Sequence, residues 1–320
     1  EPVLDEIRNY RMFLHEFAGG ARALFAPEGV AVSHSGLADG HPRLRRDVVD
    51  LGGPLRELLW EKRPWACLSA TLAVDGAFDV YERMTGARGD YEEILPSPFD
   101  HAAQTALYLP PEGRIPDPGT ARREGMENVY HAALAREIGA IVQRMGGRTL
   151  VLFHSRKEME AVAGRMTLPD HLPLIVQGRS GAGRDGDRFK KLPEGTLFGL
   201  RSFWTGFDAP GETLSCVVVV RVPFEVPVDP PAVARMAWLA SKGEDPFAAH
   251  TLPMAKMALR QGVGRLIRTA ADVGVVAILD PRVRTKPWGE EILSNLPETT
   301  MFSDFLEAMA HVGLESATLE

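Results

Sequence analysis

From about residue 105 onward, short apolar, β-branched runs alternate with longer segments of helical period. The runs are TALYLP (105–110), RTLVLF (148–153), LPLIV (172–176), TLFGL (196–200), TLSCVVVV (213–220) and VGVVAIL (273–279). Between them lie NVYHAALAREIGAIVQRM (128–145), RKEMEAVAGRM (156–166) and PAVARMAWLASK (231–242). Strands with no polar alternation are buried on both faces, and strands separated by helices run parallel. The pattern therefore predicts an α/β fold, a parallel sheet covered by helices on both faces. Upstream, RPWACLSATL (63–72) reads as one more buried strand ending in a hydroxyl-rich turn. Residues 1–60 predict a helix near 3–17, a Gly-rich break, a hairpin through LFAPEGVAVSHSG (24–36) and a basic, apolar-striped segment up to Trp60. The proline-rich LPPEGRIPDPG (109–119) is the clearest linker or long loop, and no internal repeat is visible.

The stretch ALRQGVGRLIR (258–268) breaks the ordinary helical pattern. At 100° per residue, Gln261, Arg265 and Arg268 fall within about 60° of one another, while Leu259, Val263, Leu266 and Ile267 cluster opposite. One face packs and the other presents cations. Gly262 and Gly264 on the flanks each cost a helix about 1 kcal/mol relative to alanine. That cost predicts a close approach to the backbone there. The competing reading is an ordinary solvated face of a surface helix.

Composition narrows the classes. With 320 residues, 45% hydrophobic and 25% charged, the chain is an ordinary globular one, long enough for one large domain or two. No window approaches the ~18 apolar residues of a membrane span, and the longest apolar run, CVVVV (216–220), is strand-sized. The expectation is a soluble protein without a membrane partner. The sequence starts at Glu1, without an initiator methionine or a basic or apolar leader, so no signal peptide is expected and the chain is read as a fragment. Cys67 and Cys216 lie in separate apolar runs and cannot supply a four-thiolate cluster, which points to a reducing, cytoplasmic setting. The net charge of −7 argues against nucleic acid on average, but charge is local. RSGAGRDGDRFKK (179–191) carries five basic and two acidic residues, and 260–268 carries three arginines with no acid. Together they could line one groove.

Several motifs are excluded. Gly181, Gly183 and Gly186 spell a dinucleotide fingerprint, but strand and first glycine are too far apart, and the helix that follows stops near Pro193, short of a βαβ crossover. The phosphate loop GxxxxGK[ST] is absent from all 320 residues. Asp5–Glu6 suits the first turn of a helix better than a metal box. The nine histidines show no HExxH, so no catalytic metal is expected. VLFHSRKE (151–158) is more informative. Ser155 and Glu158 form a capping box, which needs no ligand. A helix start at the C-terminal edge of a parallel strand is equally an anion site, here beside Arg156 and Lys157. SFWTGFDAPGE (202–212) is another strand exit, with an acid and close-approach glycines on the edge where ligands bind.

The order of these segments resembles the second half of the XPD/DinG family of superfamily 2 DNA helicases. LSATL (68–72), SPFD (97–100), TLVLFHSRKEME (149–160), VQG (176–178), RSFWTGFDAPGETLSCVVVVRVPFEVPVDP (201–230), ALRQGVGRLIRTAADVGVVAILDPRV (258–283) and LP (296–297) carry the resemblance. It implies a RecA-like, P-loop-NTPase-type sheet over 99–320, a second motor domain. Residues 1–98 are then the end of the first motor domain and the tail of an arch insertion.

The resemblance also implies roles. Gln261, Arg265 and Arg268 would face ATP bound on the other motor domain as helicase motif VI, with the glycines letting the domain faces meet. An arginine finger of this kind is worth about 10³–10⁵ in rate. Gly206, Asp208 and Gly264 would lie toward the nucleotide. Ser155, Arg156, Gln177 and Gly178 would contact the phosphates of single-stranded DNA, with Ser202 and Trp204 along the same track. Ser69 and Thr71 would couple ATP state to DNA. The family usually carries an aromatic where Arg156 stands. ATP and Mg²⁺ would be bound mainly by the first motor domain. An iron–sulfur cluster belongs only to family sequence ahead of the third motif. Alone, this chain is expected not to hydrolyse ATP. The rival from another class is a non-catalytic nucleic-acid-binding or scaffold module with the same fold.

Overall fold

The computed structural model describes residues 7–8, 11–12, 15, 31–38, 41–178, 182–204, 207 and 213–317. The chain forms two compact units. One joins Glu1–Ala73, Ala77–Glu92 and Glu225–Thr251; the other joins Val74–Gly76, Glu93–Phe224 and Leu252–Glu320.

In the first unit, strands β1 (Ala31–Ala38) and β2 (His41–Val48) pair antiparallel, Ala31 opposite Val48. The hairpin expected through 24–36 overlaps β1, and residues 24–30 of it lie outside the described residues. Of the helix expected at 3–17, residues 7, 8, 11, 12 and 15 are described, and all are helical. Helix α1 (Gly52–Leu55) runs into a wider turn through Trp60, and α2 (Asp79–Thr85) follows. The indole N–H of Trp60 donates to Thr85 O at 2.7 Å. One expectation fails: residues 63–72 form no strand, and Leu68 is 93% exposed. A strand is held by the hydrogen bonds of a neighbour, and no described strand pairs with this run. Cys67 is half-buried and accepts a hydrogen bond from the Tyr81 hydroxyl at 2.9 Å, whereas Cys216 is fully buried.

The second unit is the predicted α/β sheet. Its strands are β3 (Thr105–Tyr108), β4 (Thr149–Leu152), β5 (Leu174–Val176), β6 (Thr196–Gly199), β7 (Cys216–Val219), β8 (Gly274–Ile278) and β9 (Thr300–Phe302). They lie side by side in the order β5-β6-β4-β7-β8-β3-β9, every pair parallel. All six expected strands are present. β9 was not foreseen, because its three residues carry no run of their own and are held only by pairing with β3.

Successive strand residues feed opposite layers. Val151, Phe153, Val218 and Val220 pack with α3 (Glu127–Met145), α4 (Arg156–Ala163) and the later helix Phe305–His311. Leu150, Leu152, Val217 and Val219 pack against α5 (Ala182–Lys190), α6 (Arg201–Trp204), α7 (Leu252–Val263) and α8 (Trp288–Ser294). Covering both faces explains the uninterrupted apolar runs. Helix α3 ends at Gly146, whose φ of 61° is the left-handed cap that glycine adopts without penalty.

Candidate nucleotide and nucleic-acid face

Parallel strands deliver all their C-terminal ends to one edge, so the exits of β5, β6 and β4 are neighbours. After β4, Ser155 caps α4, its Oγ accepting from Glu158 N at 3.4 Å. After β5 stands Gln177, only 8% exposed. Its Oε1 accepts from Leu200 N at 2.7 Å, its Nε2 donates to Ser202 Oγ at 2.9 Å, and its carbonyl accepts from Arg156 Nη1 at 3.0 Å. Three of the residues expected on the DNA track are thereby tied together, but by a side chain spent on the protein itself. Gly178 N donates to Asp185 Oδ2 at 2.9 Å, which ties the chain after β5 to α5. Arg156 also lies 3.8 Å from Glu160.

Trp204 departs from its expected place. At 3% exposed it belongs to the core, and its indole N–H points at Phe153 O, 3.4 Å away. A Cβ on Gly262 would stand 2.9 Å from its ring and 3.2 Å from Leu152. The glycine in the arginine stretch therefore admits a tryptophan of the same unit. Gly264 is exposed.

Helix α7 ends at Val263, so Arg265 and Arg268 ride on the turn beyond it rather than on a continuous helical face. Two glycines in three residues weaken the last turn. Past them the chain is held by Leu266 N donating to Val263 O at 3.0 Å, and by Asp272 Oδ2, which accepts from Arg268 N at 2.9 Å and Thr269 N at 2.8 Å. The burial half of the reading holds: Leu259, Val263, Leu266 and Ile267 are all buried.

Both guanidinium groups lean on one carbonyl. Arg265 Nη1 donates to Phe207 O at 2.8 Å and its Nη2 to Trp204 O at 3.3 Å; Arg268 Nη2 reaches the same Phe207 O at 3.3 Å, and its Nε donates to Arg265 O at 3.1 Å. Among the described residues Arg265 meets no carboxylate, and its Nε is buried without a hydrogen-bond partner. Partial burial lowers the pKa of both arginines, and Asp272 works the other way on Arg268. Both remain charged at neutral pH. Gln261 is half-buried beside them in sequence. Gly206 and Asp208 lie outside the described residues. In the other unit, Thr71 N donates to Ser69 Oγ at 3.3 Å, and the two hydroxyls are also 3.3 Å apart, which makes a local hydroxyl turn.

Sequence reading passed over two groups on the same edge. Arg201, first residue of α6 at the exit of β6, is exposed and makes no hydrogen bond or ion pair with any described residue. A single cation between two apolar runs gives no sequence signal. Arg221, at the exit of β7, lies 3.2 Å from the buried Glu158 carboxylate. Burial raises the pKa of Glu158, and Arg221 pulls it back. Between the two arginines His154 packs against Trp204, ring centroids 4.9 Å apart. Its pKa is pushed down to about 4, first by desolvation and then by Arg221 and Arg201. Among the described residues no group of three or more acids, histidines or cysteines could hold a metal ion, and no helix is long and apolar enough to cross a membrane.

A seven-stranded parallel sheet with helices on both faces is the RecA-like α/β fold. A solved XPD helicase shares the fold, with a TM-score of 0.51 and 16% identity, covering 81% of this chain and 46% of that one. The chain belongs to the helicase C-terminal domain family, in its XPD/DinG branch; the family model matches residues 138–299. It is 32% identical over 279 residues to the ATP-dependent DNA helicase YoaA of Escherichia coli, covering 87% of this chain and 42% of that protein. To the ATP-dependent helicase DinG of Mycobacterium tuberculosis it is 35% identical over 232 residues, 72% of this chain and 34% of the relative. The chain thus spans less than half the length of these curated relatives.

Proposed function

We propose that this chain supplies the arginine-bearing half of a composite ATP site, together with part of a single-stranded DNA track, in an ATP-dependent DNA helicase. In this reading residues 99–320 are the second motor domain, and 1–98 the end of the first with the tail of an arch insertion. The observation that carries it is Arg265, a charged guanidinium anchored on backbone carbonyls instead of on an acid. A carboxylate partner would cancel its charge, whereas carbonyl dipoles orient it and leave the charge available. A γ-phosphate with its Mg²⁺, held mainly by the first motor domain, fits such a group, and the buried Nε without a partner among the described residues supports that fit. Arg265 would stabilise the charge that spreads over the phosphoryl oxygens during transfer, and Arg268 and Gln261 would complete the wall.

On the sheet edge, Ser155, Gly178 and Ser202 would meet phosphates, with Arg156 and Arg201 as the cations. Gln177 and Trp204 would position them rather than touch DNA. Such contacts carry affinity without reading sequence. Movement of the enzyme 5′ to 3′ along the strand is part of the proposal, as is a cytoplasmic setting. The chain alone has no phosphate loop and is not expected to hydrolyse ATP.

The test is Arg265→Ala in the full-length gene product. DNA-stimulated ATP turnover should fall by about 10³ or more, with single-stranded DNA affinity nearly unchanged. Wild-type turnover in the variant would overturn the role given to Arg265, and an absence of ATP turnover in the unmutated full-length gene product would favour a non-catalytic nucleic-acid-binding module.

A further inference from the structure

Lys256 lies on α7, five residues before Gln261, yet it is only 3% exposed. Lysine is almost never this buried without partners. Its Nζ is 2.7 Å from Asp75 Oδ2 and 3.3 Å from Glu291 Oε2, the latter on α8. The backbone of the same residue is held as well: Asn295 Nδ2 donates to Lys256 O at 3.1 Å. One cation thus stands against two carboxylates, each of them more than half exposed.

Asp75 stands four residues after Thr71 in the chain. It adopts φ of 53°, the left-handed region that a side chain other than glycine rarely occupies, with Gly76 next at 77°. An aspartate in that conformation is held by what surrounds it, and here the holding groups are the Lys256 ammonium and the burial of Val74, 5% exposed. The turn Val74–Gly76 packs with the sheet unit although the residues on either side of it belong to the other.

We propose that Lys256 is a positioning residue: a buried ammonium that latches the turn following the LSATL stretch onto the helix that leads to the arginines. This rests on the reading of Arg265 given above. The latch fixes α7 from two sides, through Glu291 and Asn295 of the α8 region and through the 74–76 turn. It makes the placement of that turn and the placement of Arg265 a single arrangement. Removing the ammonium does more than delete an attraction, because two carboxylates then face one site with no counterion. Losing either carboxylate alone leaves a one-to-one pair. The turn should therefore open widely in Lys256→Met and less in Asp75→Asn.

Hydrogen exchange on the 320-residue chain and steady-state ATP turnover of the full-length gene product test this together. In Lys256→Met, amides of residues 73–77 should exchange at least tenfold faster while those of β4 and β7 keep their rates. DNA-stimulated kcat should fall about tenfold, with KM for ATP within twofold of wild type. Lys256→Arg, which keeps the charge, should recover most of both. Asp75→Asn, at a side chain that is half exposed, should show the same changes at smaller size. Wild-type exchange at 73–77 in both Lys256→Met and Asp75→Asn, or full turnover in Lys256→Met, would overturn the latch. Arg265→Ala run alongside separates the two ideas. If that variant turns over normally, the functional reading fails; if it is dead while Lys256→Met is normal, only the latch fails.

Discussion

The ring of Trp204 lies so close to the backbone of Gly262 that a Cβ at that position would stand 2.9 Å from it. This one contact joins α6, at the exit of β6, to the helix leading to the arginines. Trp204 O and Phe207 O in turn receive the Arg265 guanidinium. Trp204 and Phe207 therefore grip the arginine stretch at two points, one apolar and one polar.

Gly262→Ala should destabilise the protein despite the higher helix propensity of alanine. The propensity gain is about 1 kcal/mol, whereas an added methyl against a packed ring costs about 1–3 kcal/mol. A net loss of about 1 kcal/mol is expected in urea unfolding. Trp204→Leu in the same background should remove most of the penalty, since it removes the ring that the methyl meets. A Gly262→Ala variant more stable than wild type would show that the approach is looser than 2.9 Å.

His154 gives the charge of the sheet edge a pH signature. Its pKa of about 4 lies below the ordinary 6.5, so the unfolded chain takes up the proton first. The stability it contributes is complete above pH 6.5 and drains away as pH falls from there through about 4. Ring-proton NMR should show His154 titrating far below a free histidine, and Arg201→Ala should move its midpoint upward. An unmoved midpoint would mean that Arg201 does not act on the edge.

Arg201 also sets a salt prediction. If it meets a phosphate, Arg201→Ala should weaken single-stranded DNA binding and flatten the plot of log Kd against log salt by about 0.7, the amount for one released counterion on a single strand. A control at an exposed arginine far along the chain, Arg123→Ala, should leave the slope alone. Equal slopes in wild type and Arg201→Ala would remove this residue from the track.

Much of the fold was legible because a doubly covered parallel sheet writes itself as apolar runs spaced by helices. The six runs from residue 105 onward became β3 to β8. The run at 63–72 had the same composition and formed no strand, since composition reports burial and says nothing of a pairing neighbour. The arginines were legible as a cluster but not as a turn; where α7 stops depends on Gly262, Gly264 and the Asp272 carboxylate acting together. Gln177 and Trp204 were found at the right edge with the wrong orientation. Whether a side chain faces outward or is spent on Leu200 and Ser202 is decided by distances that no spacing encodes. Lys256 was invisible, because its partners stand 181 and 35 residues away.

The shared anchor of the two arginines is the carbonyl of Phe207, an atom of the main chain. No exchange of side chain at that position can delete the carbonyl itself, so the grip is lost only by changes that displace the chain trace there. The seating of the pair therefore depends on where the buried Phe207 ring holds its own main chain, and adding one residue between Trp204 and Phe207 would unseat both arginines at once.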